Sequence, residues 1–210
     1  MAFPVPIASV LSGASIDQLA YWRKETASAP PLLVPETRRS GRYLYSWADV
    51  IALRSIVYLR SEKSLPRIRE AVAVLRKLEA DDWTHLARYK LISTSTTIIV
   101  QTPKGDLLDL QAAPGTVLDE VLMRDVLEPF ETAHGRQVPA LRQPRQHLQV
   151  HPNILGGYPV IAGSRVPFHV VAGLAEDGVE PADISQMYPS VTAEAVPDAH
   201  DFARQVASVV

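Results

Sequence analysis

Proline sets the hardest limits on this chain. Its ring fixes φ near about −65° and removes the backbone donor, so each proline ends, bends or excludes a regular element. The sequence has 17 of them, and six lie between Pro129 and Pro167. The stretch Val138-Pro-Ala-Leu-Arg-Gln-Pro-Arg145 reads as an extended linker, which places a boundary at 134–148. A region of 133 residues precedes it and a unit over 149–210 follows. At 210 residues, 47% hydrophobic and 21% charged, the chain suffices for one ordinary domain or two small ones, and it is too apolar to be a disordered tail. No stretch approaches the ~20 apolar residues of a membrane helix, and Met1-Ala2-Phe3-Pro4 lacks a secretory signal. The expectation is a soluble cytoplasmic protein.

The net charge of −2 hides a split. Residues 1–80 hold 12 Lys and Arg against 7 Asp and Glu, whereas residues 81–210 hold 9 against 16. A basic half is consistent with a polyanion partner or with an uneven scatter of surface charge. Cysteine is absent, which excludes disulfides, thiolate metal sites, iron–sulfur clusters and cysteine nucleophiles.

Local patterns predict a mainly α protein with small β-hairpins, an α+β class. A short helix over Ile7–Leu11 closes at Gly13, and Ser15 caps a second helix through Leu19 and Trp22 toward Glu25. Two helices joined by a tight glycine turn have the form of a helix-turn-helix. Arg38-Arg39-Ser40-Gly41-Arg42-Tyr43-Leu44-Tyr45 reads as a basic hairpin turning at Ser40-Gly41. Ser46 and Asp49 form a capping box for a helix whose apolar face carries Val50, Ile51, Val57 and Tyr58. Ser64 opens another helix, with Ile68, Val72, Leu75 and Leu78 on one face, extending as far as Tyr89. Residues 97–102 and 106–110 form a hairpin through Pro103-Lys-Gly105, and Thr116 with Asp119 caps a helix ending near Pro129. Beyond the linker, helices are predicted at 167–176, 181–187 and 192–206.

The order of parts over residues 4–80 resembles the MerR-type winged helix-turn-helix. Ser15-Ile-Asp-Gln-Leu19-x-Tyr21-Trp22 occupies the place of the recognition helix. The wing is matched by Pro35-x-x-Arg38-x-x-Gly41-Arg42-x-x-Tyr45, and Trp47-x-Asp49-Val50 opens the next helix. The resemblance implies a DNA-binding region over 1–89, a connecting or dimerisation region over 90–133, and a homodimer on a two-fold operator. Ser15 and Gln18 are the implied base-edge contacts, and Tyr21, Arg23, Arg38, Arg39 and Arg42, with Tyr43 beside them, the phosphate contacts. Each phosphate contact adds about −0.9 to the log–log salt slope. Asp17 and Ala20 depart from the pattern, since related recognition helices carry arginine there. Leu19, Trp22 and Leu44 read as core. The lack of cysteine removes the metal- and redox-sensing members, and drug-binding members append a larger sensor than the remaining chain offers.

A second motif is sharper. Gly157-Tyr158-Pro159-Val160-Ile161-x-Gly163-Ser164-Arg165-Val166-Pro167 is followed by Leu174-Ala175-x-x-Gly178, Asp183-Ile184-x-x-x-Tyr188-Pro189 and Val191-Thr192-x-Glu194. Together they resemble the small helical VapB-like antitoxin family, long described only as a domain of unknown function, across 151–205. Ser164 stands where threonine is usual, and Pro197 inside the last helix is expected to kink it. The motif itself reads as structural: Gly157 and Gly163 take backbone angles closed to other residues, and Pro159 and Pro167 stiffen the loop. Arg165 is expected to hydrogen-bond that loop or, alternatively, to contact a partner. His151, His169 and His200 are too scattered for a metal site.

The resemblance implies an antitoxin of a VapBC pair, whose partner is a PIN-domain ribonuclease toxin of the VapC type. Such antitoxins fill the toxin's acidic pocket with a helix or tail and an arginine. Arg204, on the last helix with Phe202 and Val206, is the candidate plug or an ordinary exposed helix arginine. The 134–148 segment, with Arg136, Arg142 and Arg145, is the other segment able to wrap a partner. The expected function is a DNA-binding antitoxin that represses its own operon. The alternative is a stand-alone MerR-like transcriptional regulator. No Ser-His-Asp set, phosphate loop, paired carboxylates or metal spacing stands out, so neither enzyme activity nor a cofactor is expected.

Overall fold

Two of the helices begin where a serine side chain meets an unpaired backbone N–H group. In the computed structural model, which describes residues 3–26, 30–35, 37–60, 63–78, 90–93, 98–101, 107–110 and 127–210, helix α1 spans Val5–Ser12 and closes at Gly13. Gly13 has φ +80° and its N–H donates to the Ser9 carbonyl at 2.9 Å, the left-handed cap expected there. Helix α2 covers Ile16–Trp22, one turn shorter than expected. Ser15 and Gln18 form a reciprocal capping box at its start: Ser15 Oγ accepts from the Gln18 N–H at 3.1 Å, and Gln18 Oε1 from the Ser15 N–H at 2.8 Å. Ser46 and Asp49 do the same for helix α3, Trp47–Arg60, at 3.0 and 2.8 Å. Helix α4 runs Leu65–Leu78; the expected continuation over 79–89 lies outside the described residues.

The basic hairpin is present as β2 (Thr37–Arg39) and β3 (Arg42–Tyr45), joined at Ser40 and Gly41. Positive φ at both, 49° and 78°, is the signature of the type I′ turn that suits the strand twist. A strand not read from the sequence, β1 (Phe3–Pro4), pairs with β3 and completes a three-stranded sheet in the order β1-β3-β2. Strands β5 (Ile98–Gln101) and β6 (Leu107–Asp109) pair antiparallel as expected, and β4 (Lys90–Ser93) adds a third. The turn at 102–106 and the helix predicted from Thr116 lie outside the described residues.

The Pro-rich segment is not an extended linker. Strands β7 (Phe130–Glu131) and β8 (Gln137–Val138) form a small hairpin, and Val138, Leu141 and Pro144 are buried. Arg54, fully buried on α3, explains how backbone without regular pairing is held there. Its guanidinium donates to the carbonyls of Leu11, Pro139 at 2.9 Å and Glu128 at 2.8 Å, and lies 5.1 Å from the Phe130 ring. One planar fork thus ends α1 and fixes both sides of the β7–β8 hairpin, a task that suits guanidinium geometry. Proline contributes too, because it has no N–H to leave unmet.

Beyond it, β9 (Leu148–Gln149) pairs with β10 (Val160–Ile161), and three helices follow: α5 (Phe168–Glu176), α6 (Pro181–Met187) and α7 (Ala195–Ala207). Phe168 of α5 meets Phe202 of α7 edge-to-face at 4.9 Å. Pro197 does not kink α7. The helix starts at Ala195 rather than Thr192, so Pro197 falls in its first turn, where the N–H has no intrahelical acceptor. The α5–α7 unit shares one apolar core with α1, α3 and the three-stranded sheet, and α7 touches α1 directly. Among the described residues there are seven α-helices and four small antiparallel strand groups, an α+β fold. No described helix is long and apolar enough to cross a membrane.

Candidate functional site

Strand alternation divides the basic hairpin into two chemically different faces. Arg39 stands directly opposite Arg42, and Thr37 opposite Leu44, so these four share one face; Arg38 and Tyr43 lie on the other. On that second face the Tyr43 ring meets two cations, with Arg23 at 4.5 Å and Arg38 at 4.4 Å from its centroid. Arg23 also donates to the Tyr45 hydroxyl. Burial pushes the Tyr45 phenol above its ordinary value, and the Arg23 guanidinium opposes that shift. The four arginines read as phosphate contacts therefore do not form one patch.

The first face forms part of an open cavity of about 820 Å³. Thr37, Arg39, Arg42 and Leu44 form one wall; Pro4, Ser46, Trp47, Gly156 and Tyr158 complete it. Its far side belongs to the loop after β9. Gly157 there adopts φ +89° and lies so close to Phe3 and Trp47 that a Cβ would stand 3.1 and 3.3 Å from their ring carbons. Tyr158 bonds the His169 ring at 3.0 Å and stacks on Phe168; burial pushes its phenol up to about 12. Neither Arg39 nor Arg42 has a side-chain hydrogen bond or ion pair among the described residues.

The base-edge candidates are placed differently from the expectation. Ser15 and Gln18 face one another in the capping box and line a second cavity, of about 220 Å³, roofed by Thr132, Ala133, His134 and Arg136. The β7–β8 turn thus sits against the start of α2, the end a recognition helix inserts into the major groove. The exposed residues of α2 are Asp17 and Tyr21, and the Arg69 guanidinium lies 5.6 Å from the Tyr21 ring.

The three α7 candidates separate. Phe202 is fully buried against Phe168, so it builds the core and is not a contact surface, a correction of the sequence reading. Its spacing within the apolar set Val196, Ala199, Phe202 and Val206 carried the signal. Val206 is half-buried against the same core. Arg204 is exposed and has no side-chain hydrogen bond or ion pair among the described residues. The neighbouring acids of α7 are engaged: Asp201 with Arg145 at 2.8 Å, and Asp198 with His147 at 2.9 Å. Arg145 also reaches Gln205 at 2.7 Å, so this arginine ties the Pro-rich segment to α7 and is not offered to a partner. Arg136 and Arg142 are exposed. Arg165 is exposed and does not hold the motif loop. Ser164 does: its hydroxyl donates to the Ile161 carbonyl at 2.9 Å and accepts from the Val166 N–H at 3.0 Å. Gly163, at φ +73°, lies in the left-handed region that the motif requires.

Residues 148–203, from β9 through most of α7, match one family. Its description is "Protein of unknown function (DUF433)". Neither a curated protein nor a solved structure matches the chain. The DUF433 segment supplies the Gly156–Tyr158 wall of the larger cavity and α7 as far as Ala203, with Arg204 and Val206 just beyond it. No group of three His, Asp or Glu among the described residues could hold a metal ion.

Proposed function

We propose that the chain is a DNA-binding antitoxin: the DUF433 segment acts as a VapB-like module that neutralises a VapC-type PIN-domain ribonuclease, and residues 1–89 act as a MerR-like winged helix-turn-helix that holds the operator as a homodimer. The observation that carries the reading is Arg204. Its acidic neighbours on α7 are occupied and the opposite helix face is buried, so α7 presents a single available cation. A lone guanidinium on a rigid helix suits an acidic, metal-binding nuclease pocket, where it replaces the metal's charge. The order α1, α2, hairpin, α3 supports the winged arrangement, and Arg38, Arg39 and Arg42 are exposed for phosphate. Because the start of α2 is roofed by the β7–β8 turn, the hairpin rather than α2 supplies most of the DNA contact in this reading.

The test is co-purification with the product of the adjacent reading frame, followed by RNA cleavage by that product alone and in the complex. Wild-type chain is expected to abolish cleavage and Arg204→Ala to restore it. Cleavage by the wild-type complex at the rate of the free partner overturns the antitoxin reading. The cavity behind the hairpin favours the second reading, a ligand-responsive transcriptional regulator without a toxin. Operator binding without any co-purifying nuclease supports that reading.

A further inference from the structure

The cavity between the hairpin and the DUF433 segment has a composition that DNA contact does not explain. Two guanidinium groups stand directly opposite each other beside a tight turn, on one face, without counter-ions among the described residues. Like charges at facing positions of an antiparallel pair repel, so an anion bridging Arg39 and Arg42 stabilises the hairpin as well as binding to it. Below them the walls turn apolar and aromatic: Leu44, Pro4, and the half-buried Trp47 and Tyr158. The remaining side-chain hydrogen-bonding groups of the lining are the hydroxyls of Thr37, Ser40, Ser46 and Tyr158, the last bonded to His169, and the Trp47 indole N–H. A bare phosphate would leave most of the 820 Å³ unfilled, whereas sites for small organic ligands span about 300–1,000 Å³.

We propose that this cavity binds a mononucleotide, its phosphate bridging Arg39 and Arg42 and its base lying against the Trp47 and Tyr158 walls. Guanidinium forks match phosphate oxygens, and aromatic faces accept any base. Because Gly156 and Tyr158 come from the DUF433 segment and the arginines from the hairpin, the ligand joins the two parts of the chain at one point. It also occupies two of the three hairpin arginines proposed to hold DNA, and so competes with duplex for them. The ligand site does not rest on the antitoxin reading; nucleotide binding stands or falls without toxin or operator.

The experiment is calorimetric titration of the full chain with AMP, GMP, CMP and UMP, and with adenosine and inorganic phosphate as fragments. At least one nucleotide is expected to bind about tenfold or more tightly than either fragment, since it alone engages both the arginines and the aromatic wall. The double variant Arg39→Gln/Arg42→Gln is expected to weaken it about tenfold or more, and Trp47→Leu to reduce it to the level of phosphate. Arg142→Gln, outside the cavity, leaves it unchanged. Adenosine binding as tightly as AMP removes the role assigned to the arginines, and phosphate binding as tightly removes that of the wall. If no nucleotide binds at about 10 mM, weaker than any functional ligand site at roughly −2.7 kcal/mol, the proposal is overturned. The ligand series on wild-type protein decides the matter even where a variant fails to fold.

Discussion

Replacing Arg54 by methionine tests whether one side chain holds the Pro-rich segment to the core. The substitution keeps the apolar stem and removes the fork, leaving the buried Leu11 carbonyl and the part-buried carbonyls of Glu128 and Pro139 without this donor. An unmet buried acceptor costs about 1–3 kcal/mol, which sets a ceiling near ~9 kcal/mol for three. The opposing effect is relief from burying a cation, several kcal/mol on the scale of real proteins. The net expected loss is therefore roughly 2–5 kcal/mol. With a urea slope of about 2 kcal/mol/M, the unfolding midpoint falls by about 1–2.5 M. Arg54→Lys keeps charge but not planar geometry and is expected to fall between the two. Hydrogen exchange localises the effect: the Leu141 amide, bonded to the Leu127 carbonyl at 2.7 Å, loses more protection than amides of α5 and α7. A midpoint within about 0.3 M of wild type, or uniform loss of protection across the chain, would refute the assigned role.

Other outcomes follow from the same geometry. Gly157→Ala, at φ +89° with Phe3 and Trp47 in the way, is expected to destabilise by about 1–3 kcal/mol in urea unfolding, whereas a neutral result would show that the contact yields freely. Phe202→Ala is expected to cost about 3–5 kcal/mol and Arg204→Ala less than about 0.5, so only the latter reports on partner binding without unfolding the module. Tyr158 holds its proton to about pH 12 in the native state, against 10.0 when exposed. Below pH ~10 both states are protonated and nothing is lost; between ~10 and ~12 the unfolded chain ionises first and stability falls. The alkaline drop in urea midpoint should be smaller in Tyr158→Phe, and identical drops would exclude Tyr158 as a contributor. Arg39→Ala/Arg42→Ala is expected to reduce the salt slope of DNA binding by about 1.8, and an unchanged slope places the duplex elsewhere.

What was legible in the sequence is what is local. Gly13, Ser40-Gly41 and the Ser46–Asp49 box act within four residues, and the structure places each where its pattern requires. Gln18 shows how one pattern supports two readings: Ser-x-x-Gln is a capping box, yet the same glutamine was assigned to base edges. The misreadings are non-local. Arg54 lies four residues from Val50 and three from Val57, squarely on the α3 apolar stripe, so the periodicity marked a buried cation that composition alone makes look exposed. Its partners come 74 and 85 residues later, beyond any local pattern. The same contacts turned an apparent linker into core, because prolines spare donors while Arg54 supplies acceptors with partners.

The close fit of Gly157 against Phe3 and Trp47 also has a consequence in time. About 150 residues separate Phe3 from Gly157, so at about 5–20 residues per second the ribosome needs roughly 8–30 s to deliver the surface that covers it. Throughout that interval the Phe3 ring, and the Trp47 ring once it is made, lack this cover, and the wall that Gly156 and Tyr158 give the hairpin cavity does not yet exist. A nascent chain stalled or cleaved before Gly157 therefore carries its arginine hairpin without the mononucleotide cavity, and an apolar patch in its place.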